Sequence, residues 1–291
     1  MSRRTFLLQT GALALGGLAS GLVSAAQTSP ERAARGRLYQ IQGPKIAEID
    51  SGTRALFTWR GNLMLIDQDG RIVLHRIGRS LGPPFPVPGP WIQEAGERFI
   101  DDYILMGDLV LVTNRDNEVF GHRLGAMVSE QFPIPGQLAM ESRGSEVFAL
   151  NDEWFVIFDR RGTGVMQGLG AAGLTPPVPL VGNINTRSMD KIFGMQGRIV
   201  TTTRRGEVSV YRVMGNRLSP ELELRGPQFT DIGEPVNHVV PFGTALLLVT
   251  ILGDVWVFES SDWDNPPIKE PEGRGGRRSD EDRLAPIPPM R

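Results

Sequence analysis

Four acids and one base recur along the chain at a near-regular interval: Glu48, Glu94, Glu141, Arg187 and Asp231. Each lies five residues past a glycine (positions 43, 89, 136, 182 and 226) that ends an extended segment. Carboxylates gathered in one place raise one another's pKa, coordinate a hard cation, or hold a cationic or polyhydroxyl ligand. The cofactor is not named by these residues: a divalent cation at the channel mouth is one occupant the ring could take, and solvated loop charges on a mouth wide enough for water are the alternative reading. Arg187 would offset part of the charge and can fork onto a ligand carboxylate or phosphate. Two carboxylates flanking a sugar would also serve as the acid and the base or nucleophile of a glycosidase, although no spacing here separates one role from the other.

Other chemistry has less support. Cysteine is absent, which excludes disulfides, iron–sulfur clusters, thiol catalysis and thiolate zinc sites. His75 and His122 share one position in successive repeats, where later units carry Gln167, Tyr211 and Phe258. They alternate with apolar neighbours along a strand, so they read as neutral, hydrogen-bonded core histidines. His238 stands alone, and no Ser or Cys accompanies it as a nucleophile. Asp67-Gln68-Asp69-Gly70 opens like a calcium loop, but the twelfth position holds Gly78 where a bidentate Glu is needed. A hairpin turn is the better reading.

The elements that must position the acidic ring form five copies of one unit. Residues 62–77, 108–124, 153–169, 198–213 and 245–260 each read as a hairpin around a polar turn. The turns carry Asp69-Gly70, Asp116-Asn117, Arg161-Gly162, Arg205-Gly206 and Gly253-Asp254. Another apolar run precedes every hairpin, at 55–59, 99–106, 146–150, 191–195 and 237–242. An extended segment follows the first four, at 84–89, 131–136, 177–182 and 221–226. Proline in three of these places them on sheet edges, where no ladder bond needs its missing N–H. The fifth unit lacks this outer strand, and residues 37–43 (RLYQIQG) read as an orphan one.

Joining the ends closes a ring and removes an open edge. The pattern resembles a β-propeller, with hairpins similar to those of quinoprotein-like and WD40-like repeats, across residues 37–260. It lacks the Trp-Asp blade ending of WD40 repeats and the Trp-containing docking motif of quinoprotein blades. The expected fold is all-β: a five-bladed β-propeller of four-stranded blades whose N-terminal strand closes the last blade. A two-sheet sandwich of hairpins is the competing architecture. In a propeller the loops entering the innermost strands converge at the channel mouth, which is where the acidic ring would sit.

The first 26 residues resemble a twin-arginine signal peptide: Arg3-Arg4 precedes an apolar stretch rich in Ala and Gly, and Val23-Ser24-Ala25 and Ser24-Ala25-Ala26 both fit a small-x-small cleavage site. Gln9 and four glycines interrupt the stretch, so cleavage is favoured over retention as a membrane anchor. That resemblance implies contact with the twin-arginine export machinery and a periplasmic or secreted protein with no stable membrane span. Residues 27–36 read as a linker and 261–291 as a disordered polar tail. With 31 basic and 33 acidic residues, the chain has no electrostatic footprint for nucleic acid. The favoured function is binding of a protein partner or a small polar or carbohydrate ligand. A glycoside hydrolase or lyase and an accessory subunit of an exported redox complex are the alternatives, because the fold hosts enzymes and scaffolds alike.

Overall fold

A computed structural model describes residues 36–46, 52–96, 98–139, 145–185, 189–260 and 262–263. The signal-like segment, most of the linker, and the tail beyond Trp263 lie outside the described residues. Among the described residues, no helix is long and apolar enough to cross a membrane.

The five repeats fold as five blades. Blade 1 runs Thr53–Trp59, Asn62–Asp67, Ile72–Ile77 and Leu81–Pro86 from the innermost strand outward. Blade 2 runs Arg98–Met106, Leu109–Asn114, Glu118–Arg123 and Phe132–Gln137. Blade 3 runs Glu146–Ala149, Trp154–Phe158, Thr163–Gly170 and Val178–Asn183. Blade 4 runs Met189–Met195, Arg198–Thr203, Val208–Met214 and the short outer Leu222–Leu224. Blade 5 takes Val236–Phe242, Ala245–Thr250 and Val255–Ser260 from the C-terminal end, and Gly36–Ile41 pairs antiparallel with the last of these as its outer strand. The ring is closed by the N-terminal strand, and the sandwich alternative is set aside.

Hydrophobic burial follows the same fivefold plan. Each of five buried clusters lies between consecutive blades, including one between blade 5 and blade 1 that joins Leu247 and Val255 to Leu56 and Leu63. Trp263, which the sequence reading assigns to the tail, is 3% exposed and packs edge-on to Phe258. The packed part of the chain therefore reaches two residues past Ser261. Burial of each large aliphatic or aromatic side chain contributes roughly 1.5–3 kcal/mol, so no blade is stable without its neighbours' faces.

One turn is repeated five times between the second and third strands. Its first residue, Asp67, Asn114, Asp159, Thr203 or Thr250, accepts a hydrogen bond from a backbone N–H four residues on, through its side-chain oxygen. Its fourth residue, Gly70, Asn117, Gly162, Gly206 or Gly253, has positive φ. That residue's carbonyl then accepts the N–H of an apolar residue in the loop leading to the next blade: Gly70 from Ile92, Asn117 from Leu138, Gly162 from Ile184 and Gly253 from Ile46, at 2.7–3.2 Å. In blade 4, Phe229 takes the same place over Gly206. All five apolar residues are buried at the top of an inter-blade cluster. Their separations, 46, 46, 46 and 45 residues, are the true period of the fold.

Two substitutions separate the parts of this latch. Asp159→Ala removes bonds to the N–H groups of Arg161 and Thr163 at a water-accessible turn and should cost about 1 kcal/mol. Gly70→Ala forces a side chain onto φ +79 and sets its Cβ 2.3 Å from the Ile92 carbonyl oxygen, so it should cost roughly 2–4 kcal/mol. Denaturant unfolding that ranks the two in the opposite order would contradict this account of the turn.

Candidate functional site

The innermost strands of all five blades enter the ring from one face, which also carries the repeated turns and the loops between blades. Four of these strands begin with a bulge. The pairing register skips a residue at Arg54, Asp101, Asp190 and Asn237 in blades 1, 2, 4 and 5. A bulge leaves its extra residue unpaired and re-aims the neighbouring side chains, so these four polar residues mark the rim of the channel. The next residue inward pairs in every blade with the residue before the turn cap. Those positions hold Ala55, Asp102, Glu146, Lys191 and His238.

Below this ring the channel turns apolar. Three consecutive residues from each inner strand, Leu56 to Thr58 in blade 1 and their counterparts, enclose a cavity of about 270 Å³. Above it, on the side of blades 1 and 2, Arg54, Ala55, Phe99, Ile100, Asp101, Asp102 and Tyr103 line an open pocket of about 490 Å³. The Arg54 guanidinium lies along the wall, donating to the Tyr103 hydroxyl at 3.3 Å and to the Gln93 carbonyl at 3.4 Å. Phe99 is 80% exposed at the lip.

Electrostatics single out one carboxyl in this pocket. Burial, then the negative charges of Asp101 and Glu146, push Asp102 up to about 6. Tyr103 is held above its ordinary value, mainly by burial, and Arg54 acts against that. The bulged acids have cationic company: Arg115 lies 3.7 Å from Asp101, and Arg204 and Lys191 lie 3.8 and 3.9 Å from Asp190. The mouth thus carries carboxylates on blades 2, 3 and 4, with cations beside Asp101 and Asp190.

The residues singled out by spacing fare differently. Glu48, Glu141 and Arg187 lie outside the described residues. Glu94 is exposed, sits in a two-residue strand paired with Phe99, and offers its backbone carbonyl to Gln131. Asp231 lies in a short 3₁₀ turn, where its carboxylate accepts the backbone N–H of Gln228 at 2.8 Å. Counted from the buried apolar residue of each loop, Glu48, Glu94 and Asp231 stand two residues on, whereas Glu141 and Arg187 stand three on. By sequence count alone, two residues on in those two loops stand Met140 and Thr186. Among the described residues no three His, Asp or Glu side chains come together as metal ligands. The sequence reading misses Asp102, Glu146 and Lys191 as site residues and leaves His238 isolated; the signal that marks all four is their place as polar entry residues of the apolar inner runs, once the register is fixed by the turn caps.

The other histidines are structural. His75 and His122 are buried, and each sets Nδ1 against a carbonyl of its own blade, Gly82 at the start of the outer strand at 3.0 Å and Ser129 in the loop before the outer strand at 3.2 Å. Gln167 does the same for Thr175 in blade 3. Burial holds His122 below the ordinary imidazole range, so it is neutral at pH 7.

No protein-family model and no curated protein sequence matches this chain. Solved structures are similar to it in fold. A gluconolactonase from Xanthomonas campestris is 12% identical over 82% of this chain and 98% of its own, with a TM-score of 0.46. A glutaminyl cyclase from Myxococcus xanthus is 10% identical over 77% and 94%, at 0.45. The WD40 β-propeller domain of Doa1 is 11% identical over 71% and 58%, at 0.36. A β-propeller fold is shared by enzymes and binding modules, and these likenesses speak to the fold alone.

The pocket carboxyl has a measurable signature. Its folded pKa lies above that of the unfolded chain, so the folded state loses stability as pH rises from about 4 through about 6. Asp102→Asn should therefore raise the melting temperature above pH 6 and leave it unchanged near pH 4. An equal shift at both pH values would mean that Asp102 is not the strained group.

Proposed function

We propose that this chain is a binding module and that its site is the channel mouth beside blades 1 and 2, where it takes a small polar ligand carrying an amine or guanidinium. The carrying observation is Asp102: a carboxyl partly withdrawn from water and crowded by Asp101 and Glu146, in a pocket open to solvent. A ligand cation would relieve that crowding and favour the ionised form. Phe99 offers an aromatic face to the same cation, a contact worth about 0.5–2 kcal/mol. Arg54, whose guanidinium reaches the Tyr103 hydroxyl in the same pocket, suits a ligand hydroxyl or carboxylate. The twin-arginine-like start, Arg3-Arg4 before an apolar stretch, supports action outside the cytoplasm.

A hydrolytic reading has one observation behind it. A carboxyl that keeps its proton up to about pH 6 can act as a general acid on a glycosidic oxygen, with Asp101 or Glu146 as the second carboxylate. Release of nitrophenol from aryl glycosides, lost in Asp102→Asn and falling above pH 6, would favour it over the binding module.

Calorimetry separates the readings. Arginine, ethanolamine and glucosamine serve as probes at pH 7 and pH 5, with glucose as the neutral control. Amine binding should weaken about tenfold between these values, because only about a tenth of Asp102 is ionised one unit below its pKa. Phe99→Ala and Asp102→Asn should each weaken it. Absence of amine binding, or binding insensitive to both pH and Asp102→Asn, would remove the proposal.

A further inference from the structure

The rim outside the mouth is built from the tips of the five repeated turns, the two residues after each cap. Blade 2 presents Arg115, blade 3 Arg160 and Arg161, and blade 4 Arg204 and Arg205, all exposed. Because one turn geometry recurs in consecutive blades, these arginines stand side by side on a single arc. Arg204 is 91% exposed and touches Asp190 only at 3.8 Å, which makes it a weak pair. Arg161 and Arg205 make no ion pair among the described residues.

Acids interrupt the rim at two places: Asp116 beside Arg115 is paired with Arg98, and the tip of blade 1 is Gln68-Asp69, with Asp69 3.3 Å from Arg71. The tip of blade 5 is Ile251 and Leu252, 39% and 53% exposed. In the loop from blade 1 to blade 2, Trp91 is 50% exposed beneath the Arg71 guanidinium, which stacks 4.2 Å from its ring. Turn tips ordinarily carry small polar residues, and a branched aliphatic pair at a hairpin tip costs solubility without adding to any core. One face thus sets an arginine arc on blades 2 to 4 beside an apolar arc made by the blade 5 tip and by Trp91 in the loop from blade 1 to blade 2.

We infer that this rim is a docking surface for a partner protein, through a segment that mixes carboxylates with apolar side chains. Charge complementarity supplies the acidic half of that description, and Ile251, Leu252 and Trp91 supply the apolar half. A bare polyanion would use the arginines and leave the apolar arc in water. This inference does not depend on the ligand of the mouth.

The test uses the full chain and a fluorescent peptide in which Glu alternates with Leu, read by anisotropy at low ionic strength. A Lys-Leu peptide, polyglutamate and phosphatidylglycerol vesicles are compared with it. The Glu-Leu peptide should bind, and the Lys-Leu peptide should not. Arg161→Glu with Arg205→Glu should weaken binding about tenfold and flatten its salt dependence. Ile251→Ser with Leu252→Ser should weaken it about as much while keeping the salt dependence. All four positions lie at solvent-facing tips, and unchanged melting temperatures would show that each variant folds. No binding of the Glu-Leu peptide, or binding untouched by either variant, overturns the inference. So does polyglutamate or vesicle binding as tight as the peptide's and indifferent to positions 251 and 252, which would mark a polyanion or lipid surface.

Discussion

A single hydrogen bond, repeated around the ring, is what the architecture depends on: the carbonyl of a left-handed turn residue accepts the N–H of a buried apolar residue in the following loop. It couples three levels at once. The turn cap sets the left-handed residue, that residue aims its carbonyl along the top of the blade, and the donor's side chain seals the core shared with the next blade. No side chain beyond hydrogen fits at Gly70 or Gly253, because the partner backbone passes within 2.3 Å of where a Cβ would be. Asn117, the non-glycine at this place in blade 2, belongs to the residue types that tolerate positive φ.

Function follows from the same constraint. With turns and loops pinned, the inner strands must enter at a fixed height, and the bulges at Arg54, Asp101, Asp190 and Asn237 absorb the one residue that does not fit the pleat. Each bulge leaves a polar residue outside the ladder at the mouth end of its strand, and two of the four, Arg54 and Asp101, line the pocket. The pocket acids are therefore crowded by backbone geometry, which water and the nearby cations only partly relieve. The rim arginines are a second product of the repeat: the positions after each cap bear no packing load, so their identity is free to serve recognition.

Much of this was legible in the sequence. Five hairpins, proline-bearing outer strands and the orphan strand at 37–43 lead directly to a closed ring, because each is a local signal with a local cause. The acidic ring was harder to place. Its count began from glycines, yet Gly136 and Gly182 precede the buried Leu138 and Ile184 by two residues, while Gly43, Gly89 and Gly226 precede Ile46, Ile92 and Phe229 by three. Those glycines also differ in role: Gly43 and Gly89 have positive φ where the next blade's backbone crosses, and Gly226 does not. A marker that answers to packing between blades cannot set the phase of a loop. The bulges were invisible for a related reason, since one unpaired residue leaves no mark on an alternating pattern.

Native-state hydrogen exchange of the Ile46, Ile92, Leu138 and Ile184 amides tests the latch most directly. These four lie in loops, where amides ordinarily exchange by small local openings. If the ring depends on them, all four should exchange only through global unfolding, with protection that tracks total stability as denaturant is added. Exchange through local openings that ignores denaturant, while the central strands stay protected, would contradict the account.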